Sequence, residues 1–201
     1  SNIKISNLSG IEDFTNLIYL ECDNNPLTLL DLTQNTALTY LSCGGLPSFV
    51  GGWGTLFELN LPQNNTLIHL DCSINMLYDL DLSQNSALTY VNCGFNSSII
   101  GGFNNLDVSQ NPNLTYLNCV VNSLTSLDVR NGNNINFTYF NAASNSLLNC
   151  ISVDDSTWSV NNWTDIDSHT SFSNNCNSLQ LYTLIPDTIF EQKLIDLGYD
   201  N

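Results

Sequence analysis

LIYLEC at residues 17–22 returns five times along the chain, as LTYLSC (38–43), LIHLDC (67–72), LTYVNC (88–93), LTYLNC (114–119) and FTYFNA (137–142). Successive copies start 21, 29, 21, 26 and 23 residues apart. In three units a second phrase follows at a fixed distance: LTLLDL from Leu27, LYDLDL from Leu77 and LTSLDV from Leu124. In the two long units an insertion comes first, and then LNLPQN and LDVSQN resume the pattern. Six units of the form LxxLxC-xxN-xLxxLDL-xxN thus occupy residues 17–153. One unit alone buries too little apolar surface to offset the entropy of ordering its residues, so the units must stack on one another.

These phrases resemble the leucine-rich repeat family, in the short bacterial form whose two halves both read LxxLxL. The resemblance implies a right-handed solenoid of mostly β and irregular structure. A parallel sheet lines the concave side, extended and turn segments line the convex side, and there is little helix. Residues 1–16 carry a partial unit through Ile5, Leu8, Ile11 and Phe14 and resemble the N-terminal caps of internalin-like surface proteins. Six repeats then fill 17–149, starting near 17, 38, 67, 88, 114 and 137. Residues 150–176 leave the pattern, and Ile151, Val153, Trp158, Trp163 and Ile166 are expected to cap the last turn. After a linker, Thr188 and Glu191 form a capping box opening a short helix with Ile189, Phe190, Leu194 and Ile195 on its apolar side, and Gly198 stops it. Segments similar to 177–201 introduce the next array in bacterial surface proteins, so the chain is expected to be one piece of a longer polypeptide with neighbouring modules.

The chain has 201 residues, 19 acidic against three basic (Lys4, Arg130, Lys193), and a formal net charge of −16. Phosphate backbones and anionic lipid surfaces would repel it, which excludes nucleic acid and polybasic membrane contact. With 42% hydrophobic and 10% aromatic residues it still has the material for a core. No apolar run approaches the ~20 residues of a membrane span, and the N-terminus lacks the regions of a signal peptide. The sequence reads as a soluble, mature segment.

In a stacked solenoid each repeat position becomes a column with members about 4.8 Å apart. The sixth position holds Cys22, Cys43, Cys72, Cys93 and Cys119, ending at Ala142. Strand alternation turns this column inward. Zinc requires ligands that converge tetrahedrally, which a single file does not provide, so these are small buried hydrophobes. Cys150 and Cys176 stand outside the column and bracket the cap, where a disulfide is expected in an oxidising compartment. The ninth position holds Asn25, Asn75, Asn96, Asn122 and Asn145, with Leu46 as the departure, and a second file runs through Asn35, Asn64, Asn85 and Asn111. Both files are expected to satisfy backbone groups at the bends. The sequons at Asn7, Asn64, Asn96, Asn113, Asn136 and Asn162 arise easily by chance in so asparagine-rich a chain.

The fifteenth position supplies Asp31, Asn60, Asp81, Asp107 and Asp128 on the convex side. Carboxylates ~5 Å apart repel by about 0.8 kcal/mol even in bulk water, so something must offset them. The expected partner is backbone N–H from the neighbouring turn. Calcium is the alternative, although one carboxylate per turn is sparse for an ion that takes six to eight oxygens. No other cofactor is expected.

The third position holds Tyr19, Tyr40, His69, Tyr90, Tyr116 and Tyr139, pointing outward onto the concave sheet. The fifth position beside it holds Glu21, Ser42, Asp71, Asn92, Asn118 and Asn141. An aromatic stripe next to a polar one is either cross-strand stacking that stiffens the sheet or a binding face. The insertions SFVGGWGTLFEL and SIIGGFNNLDV resemble each other, with Phe49, Val50 and Trp53 in one and Ile99, Ile100 and Phe103 in the other. They either fill the convex layer or form an exposed apolar wall in which Trp53 and Phe103 meet a partner. Catalysis has little to stand on, since His69 has only Asp71 nearby and His169 lies among serines and asparagines. The expectation is a non-enzymatic recognition or adhesion module, extracellular or on a bacterial cell surface. It would bind a protein through the concave face. A glycan-binding face and a structural spacer are the alternatives.

Overall fold

The computed structural model describes residues 4–45, 55–61, 63–96 and 102–176. The first half of every unit forms a three-residue strand: β1 (Tyr19–Glu21), β3 (Tyr40–Ser42), β5 (His69–Asp71), β6 (Tyr90–Asn92), β8 (Tyr116–Asn118) and β10 (Tyr139–Asn141). These six pair in that order as one parallel sheet. The register is exact by repeat position, so Tyr19 faces Tyr40, Tyr40 faces His69, and so on to Tyr139. The architecture is the leucine-rich-repeat-like parallel solenoid that the resemblance implies.

The second halves were expected as extended and turn segments, and most of them also pair as strands. These are β2 (Leu29–Asp31), β4 (Glu58–Asn60), β7 (Asn105–Asp107), β9 (Ser126–Asp128), β11 (Cys150–Ser152) and β12 (Ser171–Ser173). They assemble as β2–β4 and as β12–β11–β9–β7. The third unit breaks this second sheet, for Leu77–Leu82 forms no strand. Its Asp79 side chain takes the Leu80 N–H at 3.0 Å.

Between the two sheets lie the leucine positions, with Leu38, Leu41, Leu67, Leu70, Leu88, Val91, Leu114 and Leu117 all fully buried. Phe103 belongs with them at 1% exposure. This corrects its assignment as a contact residue on an exposed wall. FNNLDV (103–108) is itself a copy of LxxLDL, so Phe103 stands where other units place Leu27, Leu77 and Leu124. Trp53, Phe49, Val50, Ile99, Ile100, Leu46 and the expected helix near Thr188 and Glu191 lie outside the described residues.

The five sixth-position cysteines are buried free thiols. Burial pushes Cys22 and Cys119 up to about 12, and it pushes Cys43, Cys72 and Cys93 well above the ordinary thiol range. After four of the five cysteines the chain turns through a left-handed residue, with φ of 61° at Asn24, 57° at Ile74, 59° at Phe95 and 54° at Val121. The ninth-position asparagine then locks the bend. Asn96 donates from Nδ2 to the carbonyls of Cys72 and Cys93 at 3.1 and 3.0 Å, and its Oδ1 accepts the Leu77 N–H at 3.2 Å. Asn122 and Asn145 repeat this arrangement. Asn64 and Asn96 are fully buried members of these files and cannot carry a glycan.

At the N-terminal end, Asn35 Nδ2 donates to the carbonyls of Ile11 and Phe14, and the Ile5 N–H meets Asn25 Oδ1. At the other end a degenerate seventh turn closes the core. Helix α1 (Ser156–Asn162) starts at Asp155, whose carboxylate accepts from the N–H groups of Thr157 and Trp158. Trp163 then stacks on Phe140 at 4.0 Å. Asp167 takes the asparagine's place, accepting from the N–H groups of Ser144 and Asn145 at 2.9 and 2.7 Å. Cys150 and Cys176 are joined by a disulfide that holds the chain after β12 against β11.

Candidate recognition face

The six-stranded sheet brings the third-position residues into one continuous stack. Ring centroids are 4.3 Å apart for Tyr19–Tyr40 and Tyr40–His69, 4.1 Å for His69–Tyr90 and Tyr90–Tyr116, and 4.6 Å for Tyr116–Tyr139. Successive planes differ by only 9° to 16°. Parallel strands in register force this, because identical positions lie one strand spacing apart and planar rings fill that spacing face to face. Each inner ring therefore has both faces covered by its neighbours and turns its edge to solvent. Hydroxyls and ring edges, not ring faces, form the outer surface.

The polar stripe beside the rings is also linked. Asn118 Nδ2 donates to Asn92 Oδ1 at 3.1 Å, and Asn92 Nδ2 donates to Asp71 Oδ2 at 2.9 Å. The other oxygen of Asp71 accepts from the N–H and Oγ of Ser73. Ser42 turns aside to the Asp23 carboxylate at 2.7 Å. At the two ends the stripes join: Tyr19 donates its hydroxyl to Glu21 at 2.9 Å, and Asn141 Nδ2 donates to the Tyr139 hydroxyl at 3.3 Å. The bond to Glu21 is the main reason the Tyr19 phenol is pushed up to about 12. Burial, helped by Tyr116, raises Tyr90 too.

His69 sits between Tyr40 and Tyr90, where burial lowers its pKa more than Asp71 raises it. A neutral imidazole is a flat ring that suits the stack. The carboxylate of Asp71 is occupied by Ser73 and Asn92, so the pair is not arranged as a base with its orienting acid.

On the opposite side the aspartate column has a local solution. The carboxylates of Asp31, Asp81, Asp107 and Asp128 each accept the backbone N–H two residues on, at 2.8–3.0 Å. The donors come from the same turn and not the neighbouring one, because a short carboxylate reaches its own i+2 amide with little ordering cost. The N–H of Ser83 holds the Asp81 carboxyl below the usual range. At Asp128 burial raises the carboxyl, and Arg130, whose Nε donates at 2.9 Å, more than reverses it. Asn60 replaces aspartate in the one such unit whose residue two positions on is a proline, Pro62, with no N–H to give. Among the described residues no three His, Cys, Asp or Glu side chains converge as metal ligands, and no helix is long and apolar enough to cross a membrane.

The sequence placed the two stripes correctly side by side. It left open whether the tyrosines stack on each other or present their faces, and they stack. It missed the roles of Asp23 and Asp167, which lie at no repeated position.

No family model matches the chain, and no curated protein matches it. Among solved structures it is similar to the functional domain of InlJ from Listeria monocytogenes, described as including a cysteine ladder. The two share 32% identity with a TM-score of 0.50, over 75% of this chain and 37% of that one. The chain thus spans little more than a third of its structural relative. The file of five buried cysteines here fits that description of a cysteine ladder, and the likeness supports a leucine-rich-repeat-like repeat module.

Proposed function

We propose that this chain is a non-catalytic recognition module of an extracellular or cell-surface protein, and that it binds a basic protein partner through the six-stranded sheet. The observation that carries this reading is the ring stack with its hydrogen-bonded polar stripe: a stiff, flat surface of hydroxyls, amides and carboxylates. Such a surface loses little conformational entropy on binding, because its side chains are already held. The net charge of −16 selects for a basic partner and speeds encounter with it. The similarity to InlJ and the disulfide support an oxidising, external location. Sugars stacking along the sheet fit poorly, since the faces they would use are covered.

The test compares the chain with a Tyr40→Ser, Tyr90→Ser, Tyr116→Ser variant of unchanged circular dichroism, each immobilised and exposed to surface proteins of candidate host tissue. A protein retained by the parent, released steeply by salt and lost by the variant is the expected result. Equal capture by both would move the binding surface elsewhere, and the spacer reading would stand if neither retained anything.

A further inference from the structure

We propose that the C-terminal end of the ring stack is a subsite for one neutral pyranose ring, which lies against the outer face of Tyr139 as a seventh rung. This goes beyond the sheet-face reading and needs no part of it. A stack of planar rings has uncovered faces only at its ends. Tyr116 covers one face of Tyr139, and no other ring among the described residues stacks on it. The cap should supply the next rung and does not. Trp163 turns inward and stacks on Phe140, and so adds no ring beside Tyr139.

Beside Tyr139 lies an open cleft of about 410 Å³, bordered also by Phe137, Trp158, Asn162, Thr164 and Asp165. The size falls in the usual range of small-ligand sites, about 300–1,000 Å³. Its polar groups are available. The main-chain carbonyl of Asp165 continues the sheet ladder by accepting the Ala142 N–H at 2.9 Å, which fixes the residue at the seventh level. The Asp165 carboxylate and the Thr164 hydroxyl have no hydrogen-bond partner among the described residues. Asn162 spends its Nδ2 on the Trp158 carbonyl at 2.8 Å and keeps its Oδ1 for a ligand.

An aromatic face with acceptors and a hydroxyl around it recognises a ring that is C–H on its faces and O–H at its rim. A β-glucoside, with every hydroxyl equatorial, has that shape. An anionic ligand is repelled by Asp165 and by the charge of the whole chain. A guanidinium would meet a single exposed carboxylate, a pairing that contributes little in water.

The experiment titrates the full chain, by amide and indole NMR shifts, with methyl β-D-glucopyranoside, methyl β-D-galactopyranoside, N-acetylglucosamine and, separately, N-acetylarginine amide. One of the sugars should shift the Trp158 indole and the amides of 162–165, saturably and without dependence on salt. Asp165→Ala should weaken that sugar about tenfold or more, the loss expected for a hydrogen bond to a charged group. It keeps the main-chain bond to Ala142, so the cap stays closed. Tyr139→Leu should do the same and Tyr40→Leu should not. The proposal is overturned if no sugar moves these signals, if the shifts spread along Tyr40 and Tyr90, or if only the arginine derivative binds and salt removes it. Sugar binding that survives in a Tyr40→Ser, Tyr90→Ser variant, which keeps the Tyr116 ring against Tyr139, would keep this site apart from any failure of the sheet-face reading.

Discussion

Both bends of the solenoid are lined by a file of asparagines, all buried except the half-buried Asn25, but only one file uses its carbonyl oxygens. In the first bend Asn25, Asn75, Asn96, Asn122 and Asn145 donate through Nδ2 and accept through Oδ1. In the second bend Asn35, Asn64, Asn85 and Asn111 donate equally well, and their Oδ1 atoms have no partner. The difference lies in the backbone. The second bend is a run of tight turns in which Asn85 N–H reaches Leu82 O and Leu88 N–H reaches Asn85 O. Those amides are already spent, and the Ser83 N–H goes to Asp81. The first bend turns through a left-handed residue and leaves free amides that only a side-chain oxygen can meet. One residue type thus answers two different deficits, and asparagine serves both because it carries a donor and an acceptor on one short stem.

The most severe way to break the symmetry is Asn96→Ala. It leaves the buried Leu77 N–H without its acceptor and takes one of two asparagine donors from the carbonyls of Cys72 and Cys93, and we expect a loss of about 2–3 kcal/mol by denaturant unfolding. Asn85→Ala leaves the carbonyls of Leu61 and Asn64 their turn amides and also removes an oxygen that had no partner, so it should cost less, about 1–2 kcal/mol. Equal losses at the two sites would show that the bond from the Leu77 N–H to the Asn96 oxygen adds nothing. At the end of the first-bend file, Asp167→Ala should cost about 1–2 kcal/mol, because two amide donors lose their acceptor at a half-buried site. Hydrogen exchange at Ser144 and Asn145 would report it directly.

Smaller effects separate strain from charge. Val121→Asn places a residue that tolerates positive φ where a β-branched one is held at 54°. It should stabilise by about 0.5–1 kcal/mol, read as a higher denaturation midpoint with unchanged slope. The least is a difference in acid response. The Asp81 carboxyl is held below its ordinary value of 3.8, so its contribution is complete above that pH and disappears as pH falls through the lowered value. Intrinsic-rate-corrected exchange of the Ser83 amide should therefore quicken at low pH while Leu77, bonded to an amide oxygen, keeps its protection. If both amides lost protection together, the second bend would have no acid sensitivity of its own.

Much of this was legible in the sequence, because a repeat converts position into place. Once the LxxLxC phrase had appeared in six copies, the inward cysteines, the outward tyrosines and the polar stripe followed from alternation alone. Phe103 was legible as well, since FNNLDV fits the second-half phrase, but its place inside an insertion drew it to the surface reading. Strand pairing in the second halves was harder, as three-residue strands differ from extended turns only in which carbonyl the N–H meets. The aspartates posed the same problem of choosing between two nearby donors. Asp167 and the inward turn of Trp163 occur once each, and a feature that does not repeat gives periodicity nothing to read.

The cysteine file has a consequence for how this chain must be made and kept. In the folded state five thiols are sealed among leucines and held protonated, so they neither exchange with oxidants nor compete for the partner of Cys150. Opened under oxidising conditions, the same five become reactive, and any wrong bridge among them would block restacking of the units. The molecule's endurance outside a reducing environment is therefore set by how rarely the solenoid opens. Its cap disulfide, which slows opening at one end, protects thiols that it never touches.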